Sequence, residues 1–187
     1  MNVFRFVLGL YSIVAGIGIS SVVRGIGQMI EARDRVRPYA VHACFVGVVF
    51  VAQIVAWFTL WRFSGHAPWT VIQALLLLLV PILLYLANYL LMPEIDAERS
   101  CDLRAHYFRN ARLVQGLLVA VAASWVLGKR YIDGQFDLSQ QNVLCATVTL
   151  ILMPGLLTRN PVVHGLQAGA LVILMAIGVS YVSLPIG

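Results

Sequence analysis

Six imidazole and amide side chains lie within strongly apolar runs of this sequence, and they are the residues best suited to bind something. They are His42, Gln53, Asn88, Gln115, His164 and Gln167. At membrane depth such a side chain needs a hydrogen-bond partner or a water-filled cavity, so each is a candidate functional position. Amides and imidazoles that face one another can form a polar constriction for an ion or a small solute. The pattern therefore predicts a polar cluster that serves permeation.

Acidic and ammonium side chains do not accompany these six residues. No Asp, Glu or Lys falls inside the apolar runs, and neither G-x-S-x-G nor H-E-x-x-H occurs anywhere in the sequence. This composition argues against a hydrolase, a transferase or a carboxylate-driven pump, so we expect a protein that is not an enzyme. Cys44, Cys101 and Cys145 are far apart, which predicts free thiols packed as small apolar groups.

The apolar runs are long enough to be membrane-spanning helices. The chain is 60% hydrophobic and 11% charged, whereas soluble domains carry about 25% charged residues. A helix needs about 20 mostly apolar residues to cross the hydrocarbon core. Six such runs cover residues 3–23, 40–62, 69–92, 112–128, 140–157 and 161–184. The sequence therefore predicts an all-α, polytopic membrane protein with residues 1–187 in one compact six-helix bundle.

Basic residues between the runs predict the orientation. If the amino terminus is outside, the inner side carries Arg24, Arg33, Arg35, Arg37, Arg99, Arg104, Arg109, Arg112 and Arg159, and the outer side carries Arg5, Arg62, Lys129 and Arg130. Cytoplasmic loops hold the excess of Lys and Arg, so we expect both termini outside, in a bacterial inner membrane. Because these arginines fill short gaps between spans, they favour a topological role over nucleic-acid binding.

The largest segment outside the predicted spans is 93–112, PEIDAERSCDLRAHYFRNAR, on the cytoplasmic side. Ser100 or Asp102 could cap a helix that runs straight into the fourth span. The cytoplasmic arginines could bind anionic lipid headgroups or a protein partner. The candidates for this contact are Arg33, Arg35, Arg37, Arg104, Arg109 and Arg112.

Small residues line one face of two predicted helices. Gly9, Gly16, Ser20 and Gly27 share a narrow stripe on the first helix, and Gly165 and Gly169 form a G-x-x-x-G pair on the sixth. Such stripes predict close helix packing in lipid. The alternative is that they line a narrow pathway or a contact between copies in a homo-oligomer.

The depth of the polar residues carries the leading functional hypothesis. On the predicted topology, all six except Gln53 lie in the inner third of the bilayer, and Gln53 shares a helix face with His42. The segments RVRPYAVH and LLTRNPVVH place His42 and His164 at similar positions, as in a weak hairpin repeat around a central site. The alternative interpretation is that both are interfacial histidines hydrogen-bonded to neighbouring helices.

Three hypotheses of function follow. The first is an ion channel or small-solute permeation protein, homo-oligomeric in the lipid bilayer, with a cytoplasmic-side constriction of His, Gln and Asn. The second is a membrane-anchored interaction or sensor protein that acts through segment 93–112. The third is a haem- or quinone-binding redox protein, because His42 and His164 are the one pair that could supply axial ligands; otherwise we expect no cofactor and no metal.

Overall fold

The computed structural model describes residues 3–66, 68–95, 100–134 and 139–182. In these ranges the helices are α1 (Val3–Glu31), α2 (Ala40–Leu60), α3 (Val71–Leu91), α4 (Leu103–Asp133), α5 (Gln140–Leu157) and α6 (Pro161–Val182), with a short 3₁₀ turn at Trp61–Phe63. Each of the six is long and apolar enough to cross a membrane. The prediction of a helical bundle with six candidate spans is confirmed, and it indicates a multi-pass membrane protein.

Two helices extend beyond their predicted spans. The predicted fourth span, 112–128, is the middle of α4, and α1 continues eight residues past position 23 to Glu31. Amphipathic and charged turns at the membrane surface remain helical here because they continue a helix that is already nucleated. Positions 183–184 of the predicted sixth span and 96–99 of segment 93–112 lie outside the described residues.

Five helices form a closed ring. Along it, α2 packs against α3, α3 against α4, α4 against α5, α5 against α6, and α6 against α2. Helix α1 lies outside this ring, in the groove between α2 and α3. Its buried residues recur every three or four positions, from Phe4 through Tyr11, Ala15 and Val22 to Gly25, as expected for one helix face.

The connecting residues 32–39, 92–95, 100–102 and 158–160 lie at one end of the bundle, which we call the arginine-rich end; the other is the opposite end. Two short strands, β1 (Val36–Arg37) and β2 (Cys101–Asp102), pair in parallel there. Cys101 is a free, half-buried thiol, like the other two cysteines, which confirms that prediction. Its burial and the Asp102 carboxylate raise the pKa of this thiol, against an opposing effect of Arg109, so it is mostly protonated near neutral pH.

Asp102 caps α4, as predicted. One of its carboxylate oxygens accepts hydrogen bonds from the backbone N–H groups of Arg104 at 2.8 Å and Ala105 at 3.1 Å. At the other end of the helix, Gly134 adopts a positive φ of 81°, which favours glycine and ends the helix. The cap sets the residue at which α4 begins.

Replacing Asp102 with alanine is expected to destabilise the protein by about 1 kcal/mol, because two N–H groups of α4 lose their acceptor. Asp102→Asn should retain most of the stability, since an amide oxygen also caps. Thermal unfolding of the purified protein in detergent measures both. Equal unfolding temperatures for Asp102→Ala and the unmodified protein would show that the cap contributes nothing.

Candidate functional site

All six predicted polar residues are buried, with 4% or less of their surface exposed. They lie inside the bundle, between helices. They do not form one cluster, however: the structure separates them into a cap on α3, a pair between α2 and α3, and a network that joins α4, α5 and α6. Each group has its own hydrogen-bond partners.

His42 caps the carboxyl end of α3. Its Nε2 lies 2.7 Å from the carbonyl oxygen of Leu91, and His106 Nε2 lies 3.1 Å from that of Leu90. Asn110 donates a second hydrogen bond to Leu90, at 3.0 Å. The last carbonyls of a helix have no partner within the helix, so these side chains supply one at the membrane edge. His42 thus has the structural role of an interfacial histidine bonded to a neighbouring helix.

Gln53 and Asn88 form the second group. The Asn88 amide donates to Gln53 Oε1 over a long 3.5 Å, and Gly18 of α1 lies directly against the Gln53 amide. Gln53 Nε2 and Asn88 Oδ1 are buried without a protein partner. This pair connects α2 to α3 beneath α1, and it is separate from both histidines.

The third group is a continuous hydrogen-bonded network. His164 Nδ1 lies 2.8 Å from the Tyr107 hydroxyl and 3.1 Å from Gln115 Nε2, while His164 Nε2 lies 3.0 Å from the Thr158 carbonyl. Gln115 Nε2 also donates to Gln167 Oε1, at 3.1 Å. We call Tyr107, Gln115, His164 and Gln167 the polar clamp. It joins residues of α4 and α6 with the residue that follows α5.

The partners of His164 determine its tautomer. A carbonyl oxygen only accepts, so Nε2 facing Thr158 must carry the hydrogen. In the neutral ring Nδ1 is then an acceptor, which matches the two donors in front of it, the Tyr107 hydroxyl and the Gln115 amide. Both ring nitrogens are therefore engaged inside the protein. The clamp is a satisfied set of donors and acceptors around this ring rather than an open polar surface.

The polar clamp holds α5 at a break in its hydrogen bonding. Pro154 lies inside α5 and has no N–H to donate to the preceding turn. Close to this break, Gln167 Nε2 donates to the carbonyls of Ile151 at 2.7 Å and Leu152 at 3.2 Å. Pro154 leaves the carbonyl of Leu150, four residues earlier, without its helical donor, and Gln167 adds hydrogen bonds from a neighbouring helix to the two carbonyls that follow it.

Gly155 provides the space for this contact. A Cβ at this position would overlap the side-chain oxygens of Gln115 and Gln167, and the Gln115 nitrogen as well. Only a glycine lets the two amides approach the α5 backbone so closely. Its Cα hydrogens also face the two amide oxygens, which includes the otherwise unpartnered Gln115 Oε1, and such contacts are weakly favourable.

A cavity of about 180 Å³ lies within the ring of five helices, from mid-depth toward the opposite end. We call it the chamber. Residues from α2 to α6 line it, among them Val48, Leu84, Trp125, Cys145 and Met175. Almost all of the lining is aliphatic or aromatic, and the six predicted polar residues are not part of it.

The polar clamp lies next to the chamber on the side of the arginine-rich end. Gln115 is one helical turn from Leu118, and Gln167 is one turn from Leu171; both leucines line the chamber. Thr59 and Gln141 are the polar groups at its other end, and the Thr59 hydroxyl donates to the Val55 carbonyl at 2.7 Å. The polar clamp thus ties α4, α5 and α6 on one side of a mainly apolar chamber; toward the opposite end, Gln73 Nε2 donates to the Tyr131 carbonyl at 2.9 Å and joins α3 to α4.

Within the described part of the chain, the small-residue stripes do not pack against another helix. A Cβ added at Gly9, Gly16, Gly27, Gly165 or Gly169 would meet nothing within 4 Å, and Ser20 is exposed. The interpretation as close contacts inside the bundle is therefore corrected: the stripe on α1 faces away from α2 and α3, because Tyr11, Ala15 and Val22 occupy the inner face. A contact between copies of the chain stays a prediction.

Close approach between helices instead occurs at glycines outside the predicted stripes. Gly18 lies against Gln53, Gly25 against Met92, and Gly155 against the two clamp amides. The six arginines proposed for lipid or partner contact, Arg33, Arg35, Arg37, Arg104, Arg109 and Arg112, are all exposed at the arginine-rich end. Their contact with lipid headgroups or a protein partner stays a prediction.

Tyr107, His106, Asn110 and Gly155 belong to these groups and were not among the predicted site residues. Tyr107 could have been found from the sequence, since Tyr107, Ala111, Val114, Gln115 and Leu118 follow the spacing of one buried helix face. Gly155 had no such signal, because its role depends on two amides from other helices.

Comparisons with protein-family models, with curated proteins and with solved structures find no match to this chain.

Replacing Gly155 with alanine is expected to destabilise the protein by about 2 to 4 kcal/mol, since the new methyl displaces the amides and leaves buried groups unpaired. Gly165→Ala is the matched control on α6. It meets nothing within 4 Å and should leave stability unchanged or raise it by up to about 1 kcal/mol. Thermal unfolding in detergent compares the two, and similar effects at both positions would contradict the clamp geometry.

Proposed function

We propose that this protein binds a small apolar molecule of lipid type in the chamber, within the membrane. The observation that carries the proposal is the chamber itself: about 180 Å³ of space among apolar side chains, lined by residues of five helices. A cavity of about 150 Å³ lined by similar residues is large enough to stay dry and bind benzene or xenon. The chamber exceeds that size.

The cost of leaving the chamber empty supports an occupant. Wall atoms that face unfilled space have no partner atoms on that side and lose dispersion contacts. Inside a bilayer a ligand gains no hydrophobic energy by leaving lipid, because lipid tails are as apolar as the lining. The driving force is instead the dispersion contacts that the walls regain when the chamber is filled.

This proposal narrows the small-solute hypothesis to apolar solutes. An ion leaves water only where oxygen ligands or charged side chains replace its hydration shell. The chamber offers Thr59 and Gln141 as polar side chains, and the Thr59 hydroxyl already donates to the backbone. The ion-channel hypothesis stays a prediction, but the clamp residues on which it was based are engaged with one another and with backbone carbonyls. Haem ligation by His164 would likewise require one of its ring nitrogens to give up its hydrogen bonds inside the protein.

Filling the chamber is expected to abolish binding. Ala122 lines it on α4, and its neighbour Ala123 is exposed on the outer surface of the same helix. In a protein that retains Trp125 as its one tryptophan (Trp57→Phe, Trp61→Phe, Trp69→Phe), dibrominated stearate in nanodiscs should quench the fluorescence, because bromine quenches only near contact and Trp125 lines the chamber. Ala122→Phe should reduce saturable quenching at least tenfold.

Ala123→Phe is the matched control, since it adds the same ring one residue away without entering the chamber. It should bind the brominated probe as the parent does. Equal quenching in the Ala122→Phe and Ala123→Phe proteins would mean that the probe reaches Trp125 from the surrounding lipid, and binding in the chamber would then be rejected.

For the topology, we propose that both termini face the outer side of a bacterial inner membrane and that the arginine-rich end is cytoplasmic. The excess of exposed arginines at that end supports it. There they would meet the anionic headgroups of the inner leaflet, which fits the proposed contact with lipid or a cytoplasmic partner.

Labelling in bacterial spheroplasts checks this orientation. Ser64 at the opposite end and Ser100 at the arginine-rich end are both exposed, so each can carry a single cysteine in a cysteine-free protein. A membrane-impermeant maleimide should label Ser64→Cys in intact spheroplasts and Ser100→Cys only after permeabilisation. The reverse pattern would place the arginine-rich end outside.

A further inference from the structure

Helix α5 is the least buried wall of the chamber. Of its eighteen residues, all of them described, only Leu152 and Gly155 are buried, and both lie near the arginine-rich end. The helix packs mainly against α4 and α6. Its outer face is apolar and exposed, with 72% of Leu150 accessible. One end of α5 is therefore held in the bundle while the rest forms a single layer between chamber and lipid.

The held end coincides with the break in the helix. Gln115 and Gln167 enclose Gly155, and Gln167 binds the backbone of the preceding turn. Pro154 removes one hydrogen bond of the ladder at this point, which makes it the place where α5 bends most easily.

The part of α5 before Ile151, residues 140–150, contains no buried residue. It supplies Gln141, Leu144 and Cys145 to the chamber wall, and they meet their neighbours there mainly through apolar atoms. Just before the helix begins, the Lys129 ammonium donates to the Ser139 hydroxyl at 2.9 Å. Because the lysine side chain is long and flexible, it can follow Ser139 when this part of the helix moves.

The shape of the chamber indicates what enters it. On α2 its lining extends from Val48 to Thr59, which is about 16 Å of helix axis at 1.5 Å per residue. A volume of about 180 Å³ spread along that length is narrow and elongated. A single unbranched hydrocarbon chain fits such a space.

We propose that α5 is a lateral gate: its residues 140–150 swing away from α6 about the clamped end, which begins at Ile151, and admit the aliphatic chain of a membrane amphiphile from the bilayer into the chamber. This inference rests on the proposed function and adds the ligand class and its route. The polar clamp acts as the pivot, because it keeps the carboxyl end of α5 in place while the rest moves. No water-filled passage is needed, since the entering chain and the surfaces that it passes are apolar.

A cross-link between α5 and α6 tests the gate. Leu144 on α5 faces Gly178 on α6, where a Cβ would lie 3.8 Å from the Leu144 side chain. In the single-tryptophan protein without native cysteines, Leu144→Cys and Gly178→Cys are joined by dibromobimane, a short bridge between two thiols. Stopped-flow mixing with dibrominated stearate in nanodiscs then gives the rate at which Trp125 is quenched.

The bridged protein is expected to load at least ten times more slowly than the same protein with unbridged cysteines; only the rates are compared, because both positions line the chamber. An unchanged loading rate would overturn the gate and place uptake at the opposite end of the chamber, while binding there would stand. No saturable quenching in the single-tryptophan protein that retains Leu144 and Gly178 would overturn the proposed function, and the gate with it. The two failures are thus distinguishable.

A second bridge controls for stiffening of the bundle in general. Gly25 on α1 and Met92 are in direct contact, with the Cβ of Met92 3.2 Å from a Cβ at position 25. Gly25→Cys and Met92→Cys joined in the same way lie away from α5 and should leave the loading rate unchanged. A slowing as large as that of the α5–α6 bridge would show that general rigidity, and not α5, controls uptake.

Discussion

Every backbone carbonyl and amide at membrane depth needs a partner inside the protein, and the arrangement of this bundle depends on how that requirement is met. An unpaired buried polar group costs about 1 to 3 kcal/mol. Backbone groups without a helical partner arise where a helix ends and where a proline interrupts it, as at the carboxyl end of α3, at Pro81 in α3 and at Pro154 in α5. His42, His106 and Asn110 bond the carbonyls at the end of α3, and Gln167 bonds two carbonyls next to the break at Pro154. These polar side chains therefore lie close to interruptions of the backbone hydrogen bonding.

This requirement also explains why the bundle has two unlike halves. Polar bonds between helices are directional, and near the arginine-rich end they bring α4, α5 and α6 together through Gln115, His164 and Gln167. Toward the opposite end the same helices meet mainly through apolar side chains, which fix no particular separation. Five helices held close at one end can diverge at the other, and the chamber occupies the space between them.

The sequence predicted the elements well and the contacts only in part. Helix length and apolarity depend on local composition, so all six spans and the Asp102 cap could be predicted. The burial of the six polar residues also followed, since an amide or imidazole avoids lipid. Their grouping did not, because it depends on which helices are neighbours: Gln115 faces His164 only because α4 and α6 both contact α5. The glycine stripes on α1 and α6 failed as internal contacts for the same reason, as periodicity defines a face but not what the face meets.

In a membrane protein, the polar side chains at membrane depth first of all form hydrogen bonds that hold helices together. Lipid makes an unpaired amide costly, so such residues are used to hold helices together, as Gln115, His164 and Gln167 are here.

An apolar ligand leaves no polar signature, and its site appears as a gap in packing. The chamber is such a gap, and the clamp next to it determines which of its walls can move. Because α5 is bonded in the clamp at one end and mainly packed at the other, opening it breaks dispersion contacts that an entering chain restores, and it leaves the hydrogen bonds of the clamp intact. The polar residues thus bear on function through the helix that they hold in place.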